Sequence, residues 1–245
     1  MKRTIVLLIL CMSIAMVTNP LLADEFIIST PFAFQERFPG GLEQIGFSEG
    51  NFLQVGCFIK PAGAPIKEIT VKNLDTGLVL KASPVNPGEA FSGLYQVFPM
   101  PVFDPEKHVG VWEIRVKDQA DNEMIEKTHK LDMKGKMPFV EGVKANGEPL
   151  SPTITWNAPG ENEMPKGVKI RYQVRLLMAG NQFYRSSGTT LTAQAIPEGI
   201  IKAEDLSKIY VRIQCQGWDQ NDREHFLPLE LQSSTILPLK EILEK

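Results

Sequence analysis

Gly46-Phe47-Ser48-Glu49-Gly50 satisfies the pattern G-x-S-x-G, and Asp219 and His225 follow it in the order serine, acid, base. Such a serine attacks a carbonyl only when it sits on a strained turn between a strand and a helix, where backbone N–H groups form an oxyanion hole. Here the motif runs into NFLQVGCFIK (residues 51–60), whose alternation reads as a strand, and no repeated helices follow. Outside its structural context the match is a coincidence, so Ser48 is not read as catalytic. No catalytic residues are assigned, and the chain is not read as an enzyme.

Two acidic turns offer oxygen ligands. Asp118, Asp121, Asn122 and Glu123 form one cluster, and Asp219, Asn221 and Asp222 the other. Calcium takes six to eight oxygens, and such loops can supply some of them. Hairpin turns use the same residues for another reason, because Asp and Asn tolerate left-handed backbone and bond their own chain. The turn reading is preferred, with calcium the one cofactor kept in view. No zinc site is expected, since there is no CxxC and His108, His129 and His225 are scattered. Aromatic residues give a third candidate. Phe183 and Tyr184 share a short strand in GNQFYRSSG, and Trp218 ends another strand. Exposed aromatics beside polar loops can grip a sugar or a protein partner.

Lys2 and Arg3, the apolar run Ile5–Val17 and small Ala23 before Asp24-Glu25 lay out a secretory signal peptide cut after Ala23. Thr18-Asn19-Pro20 interrupts the run below the roughly 18–20 apolar residues a bilayer span needs. Leu10 is too large for the position before a lipidated cysteine at Cys11. A periplasmic or secreted protein is expected, with no transmembrane segment in the mature chain. Losing residues 1–23 takes two positive charges from a formal net charge of −3, leaving −5. That balance disfavours a nucleic-acid partner, which would want a concentrated basic face. Cys57 and Cys215 sit in alternating strands, where a cysteine is usually a small buried hydrophobe; two buried thiols are preferred over a bridge.

The elements that must position these residues are almost all of period two. GVWEIRVKD (residues 110–118) sends Trp112, Ile114 and Val116 one way and Glu113, Arg115 and Lys117 the other. Short alternating strands punctuated by Gly, Pro, Asn and Asp predict an all-β chain of tandem antiparallel β-sandwiches. The expected organisation is a signal peptide over 1–23, a first sandwich over 24–135 and a second over 136–245, with a boundary in DMKGKMPFVEG (residues 132–142). Only PLKEILEK at the end invites a helix.

In the second half, PTITWNAP places Ile154 and Trp156 on one face. KIRYQVRLL sets Ile170, Tyr172, Val174 and Leu176 in register, and KIYVRIQCQGWD does so for Ile209, Val211, Ile213 and Cys215. These three strands resemble strands B, C and F of a fibronectin type III domain over about residues 138–236. The resemblance implies a core of Trp156, Tyr172, Val174, Val211, Ile213 and Cys215. The family's tyrosine corner is not matched, because Ile209 holds its slot and Tyr210 is one residue late. The first half resembles a generic bacterial immunoglobulin-like domain.

The function expected is that of a non-catalytic extracytoplasmic binding or assembly module of the bacterial cell envelope. It would engage an envelope protein or a cell-surface glycan through the sandwich-edge loops, namely Phe183, Tyr184, Trp218, Asp118, Asp121, Asn122, Asp219, Asn221 and Asp222. A periplasmic two-domain chaperone of the pilus-assembly type is the first alternative, and a serine hydrolase using Ser48 the last.

Overall fold

The computed structural model describes residues 27–45, 49–60, 66–82, 94–97, 104, 107–128, 130–132, 135–219 and 231–243. These residues form an all-β protein. The strands in chain order are β1 (Ile27–Phe38), β2 (Gly50–Lys60), β3 (Ile66–Asn73), β4 (Val79–Ala82), β5 (Leu94–Val97), β6 (Trp112–Asp118) and β7 (Glu123–Lys127). They continue with β8 (Glu141–Asn146), β9 (Thr153–Asn157), β10 (Val168–Met178), β11 (Asn181–Arg185), β12 (Ala193–Ala195), β13 (Ile209–Asp219) and β14 (Leu231–Pro238). A short α-helix, α1 (Leu239–Leu243), closes the described chain.

Three sheets result. The largest has the order β11-β10-β13-β14-β1-β2-β5, and two smaller ones run β12-β9-β8 and β4-β3-β6-β7. Strands from both ends of the chain therefore share one sheet. The joint is the parallel pairing of β1 with β14, which places Gln35 beside Leu231 and Glu36 beside Gln232. Alternation along a strand tells which side is buried, but not which distant strand lies alongside, and this junction is invisible in local pattern.

Paired residues share a face, so the two cores can be located from the register. Leu231, Gln35 and Leu53 lie on one face of the large sheet. On that face the β12-β9-β8 sheet covers one end, with Ile154 and Trp156 packed against Tyr172, Val174, Leu176, Val211, Ile213 and Cys215. The β4-β3-β6-β7 sheet covers the other end, where Ile69, Val71, Trp112, Ile114 and Val116 meet Ala33, Leu53 and Val55. Two layers of sheet enclosing apolar side chains are compatible with immunoglobulin-like sandwiches. The difference from two separate sandwiches is that both smaller sheets sit on one continuous floor.

Local chemistry explains the connections. The β3–β4 turn at Asp75-Thr76-Gly77 is built on buried Asn73, whose Oδ1 accepts the N–H groups of Asp75 and Thr76 at 3.0 and 2.8 Å. Gly77 supplies the left-handed φ of +74° that closes it. Within the segment expected to hold the domain boundary, Met137–Val140 is held to the large sheet. Arg37 donates to Met137 O at 2.9 Å, Ser233 Oγ to Pro138 O at 2.6 Å and Thr235 Oγ1 to Val140 O at 2.9 Å. Arg37 also lies 4.4 Å from the centre of the Phe139 ring. Carbonyls there would be orphaned on a sheet surface, so side chains of β1 and β14 satisfy them.

Candidate functional site

On the opposite face of the large sheet, alternation brings a second set of residues together, and they are polar. The register β10–β13–β14 puts Arg171, Gln216 and Gln232 in one row and Gln173, Gln214 and Ser234 in the next. Arg175, Arg212 and Ile236 form the third row, extended by Arg185 of β11 directly opposite Arg175. Glu36 of β1 stands beside Gln232, with Phe52 across from it on β2.

Glu36 is the hub. Its carboxylate accepts hydrogen bonds from Gln54 Nε2 at 2.8 Å, Ser234 Oγ at 2.8 Å and Gln214 Nε2 at 3.2 Å, and it forms an ion pair with Arg212. Arg212 also donates to Ser234 Oγ at 2.8 Å, and its guanidinium stands 5.1 Å from the Phe38 ring. Gln214 donates to Gln232 and accepts at Oε1 from Gln216 at 2.9 Å and from Arg175 at 2.6 Å. Arg175 makes two further bonds to Gln173 Oε1, at 3.0 and 2.8 Å. Burial, and then the neighbouring Arg212, push the Arg175 guanidinium down to about 9, so it stays charged at neutral pH. One end of this face is apolar: Leu42 and Ile45, around the 3-10 helix Glu43–Ile45, pack on Leu177 and Ile236.

Glu36, Gln173, Arg212, Gln214, Gln216, Gln232 and Ser234 are buried in this network, so a ligand can meet it at the charged Arg171, Arg175 and Arg185, which are partly or fully exposed. The network is poorly suited to proton transfer, because its one carboxylate is saturated by donors and paired with a guanidinium. Arg171 extends the basic character at the rim. It lays its guanidinium over Gly188, where an added Cβ would stand 1.6 Å from Nε.

Of the residues singled out from sequence, those described lie in the Asp118–Glu123 turn, on β11, at the end of β13 or in the core. Asp118 Oδ1 accepts from the N–H of Ala120 and of Asn122, and Oδ2 from Asn122 Nδ2. The Asn122 side chain first of all holds the Asp118 carboxyl below its ordinary range. Asp121 adopts φ +63° and pairs with Lys67 at 2.5 Å, while Glu123 pairs with Arg115 and Lys117. The turn's oxygens are thus engaged by the turn itself and by neighbouring bases. Phe183 is 42% exposed at a bulge in β11, whereas Tyr184 is half-buried against the second core. Trp218 and Asp219 continue β13 opposite Lys169 and Val168, their side chains lying outside the described residues. Ser48, Asn221, Asp222, His225, and the proposed signal peptide also lie outside them. The G-x-S-x-G segment is flanked by that 3-10 helix and by β2, which begins at Gly50.

Trp156, Tyr172, Val174, Val211, Ile213 and Cys215 all belong to one buried cluster. The Trp156 and Tyr172 rings meet edge to face at 5.3 Å. Cys215 is a free buried thiol, pushed up to about 12 by burial. Sequence reasoning missed Glu36, Arg175, Arg212 and Gln214, because a polar residue at every second strand position reads as a solvent-facing one. A usable signal is present nonetheless: β10 and β13 carry Arg and Gln on their polar sides from Arg171 to Arg175 and from Arg212 to Gln216, with no acid among them. The chain matches no protein-family model and no curated protein.

Proposed function

We propose that this chain is a non-catalytic extracytoplasmic binding or assembly module of the cell envelope, and that it binds through the arginine- and glutamine-bearing face of its large sheet. One observation carries the reading: among the described residues that face gathers four arginines, Arg171, Arg175, Arg185 and Arg212, and one saturated carboxylate, Glu36. Such a surface attracts and orients a partner but provides no free base or nucleophile. Of the edge loops expected to bind, the Asp118–Glu123 turn is the less favoured here, because it spends its oxygens on its own backbone and on Lys67.

The two-unit organisation, with a fibronectin type III-like second half after an immunoglobulin-like first, is part of the same reading. Its support is that Trp156 on β9, Tyr172 and Val174 on β10, and Cys215 on β13 share one core. A secretory signal over residues 1–23 supplies the address.

Photo-crosslinking in the intact producing cell tests the reading. A photoreactive residue placed at exposed Gln182, on β11, is expected to give one defined adduct, and the same residue at Asp121 none. An adduct from Asp121 alone would return binding to the edge turns, and no adduct from either position would overturn a binding role.

A further inference from the structure

Arg185, Arg175 and Arg212 stand side by side across three adjacent strands. Neighbouring strands lie about 4.8 Å apart, so three guanidinium stems rise within about 10 Å. Like charges directly opposite each other destabilise a sheet. Only Arg212 has a carboxylate, Glu36. Among the described residues Arg175 and Arg185 have no acid within ion-pair distance, although the chain as a whole carries 29 acids against 26 bases. The repulsion is felt, since Arg212 and Arg185 both work against the charge on Arg175. A row of this kind suits an anion that the described residues do not supply.

A second observation concerns shape. β11 is the edge of the large sheet, and its Asn181, Gln182, Phe183 and Arg185 are exposed. An extended peptide can pair with such an edge through its backbone, as a carbohydrate cannot.

We propose, resting on the reading of this face as the binding surface, that the Arg185–Arg175 pair seats a carboxylate side chain of an acidic, extended peptide segment from a partner protein. The peptide lies along β11 and its carboxylate bridges the two guanidiniums. Arg212 keeps its own carboxylate and does not compete.

The test uses the full mature chain and four probes: a labelled Asp/Glu-rich peptide of about eight residues, its Asn/Gln counterpart, inorganic phosphate, and an oligomer of uronic acid. The acidic peptide is expected to bind, the amide peptide at least about tenfold more weakly, in line with loss of a charge-assisted bidentate bond. Arg175→Gln and Arg185→Gln are each expected to weaken the acidic peptide by a similar factor. Arg185→Gln removes the repulsion on Arg175 and is expected to melt at or above the parent temperature in the absence of ligand, whereas Arg175→Gln also gives up the bonds to Gln173 and Gln214. Arg185 is exposed, so its variant reports binding even if Arg175→Gln is less well folded. Equal binding of both peptides, or variants that bind like the parent, would overturn the proposal. So would an arginine-dependent preference for the uronic-acid oligomer or for phosphate. If the acidic peptide fails while the Gln182 crosslink persists in cells, the surface stands and the ligand chemistry falls; loss of both removes the surface as well.

Discussion

Cys215 shows how far one buried side chain can set a condition on the whole protein. Its thiol lies in the second core and is held neutral, pushed from an ordinary 9.0 up to about 12 by burial. Its neighbour Tyr172 is raised from 10.0 to about 12 for the same reason, with the Cys215 charge adding to it. Both are acids whose folded-state value lies above the unfolded one. The stability they confer is complete below the unfolded values and is lost as pH rises toward the folded ones. Unfolding midpoints in denaturant are thus expected to fall between about pH 9 and about pH 12, and less steeply in Cys215→Ala. An identical slope in the variant would remove Cys215 from the account. The identity of this residue as a core position was legible, because an apolar residue occupies every second place around it. Glu36 was not. In FAFQERF it looks like one more solvated carboxylate, and only the distant Arg212, Gln214 and Ser234 make it a hub.

At the level of elements, Trp156 is what keeps the β12-β9-β8 sheet on its floor. β9 is five residues long and presents Ile154 and Trp156 to the core, with Trp156 against Tyr172 of β10. Replacing Trp156 with alanine is expected to cost about 3–5 kcal/mol in denaturant unfolding. Its Nε1 is buried without an acceptor. Phenylalanine therefore forfeits no hydrogen bond there, and Trp156→Phe is expected to cost clearly less than Trp156→Ala. Equal losses would mean that the indole N–H matters in a way the packing does not convey. Strands like β6 and β9 were readable because burying one face of a pleated ribbon imposes period two on the sequence. β1 was not: a register shift between Ser29 and Phe32 moves its core face from Ile28 to Ala33 and Gln35, so no single period runs the length of the strand and apolar and polar residues fall on both sides. Its partner on β14 is fixed by contacts nearly the length of the chain away, which no window of neighbouring residues contains.

For the molecule as a whole, the large sheet makes the two halves one object. Glu36 and Arg212 are 176 positions apart in the chain, and both are almost fully buried. Removing one partner of a buried pair leaves the other charge uncompensated, which typically costs about 3–5 kcal/mol. Glu36→Ala is expected to lose that much, with both cores unfolding in one transition in the parent protein. Probes on Trp112 and Trp156 can follow each core separately. A parent-like midpoint for the variant would show that β1 and β14 are joined by backbone pairing alone.

The parallel contact between β1 and β14 also imposes an order of events on a growing chain. β1 can form its ladder with β2 early, but its other edge has no mate until Leu231–Pro238 has been made. Glu36 and Ser234 are separated by 198 positions, an interval of roughly 10–40 s at ordinary rates of synthesis. Throughout that time a bare strand edge and an unneutralised glutamate face the surroundings, the condition in which chains pair with the wrong neighbours. A nascent chain cut or stalled before Leu231 has every residue of the first core and still lacks the strand that closes the sheet against it.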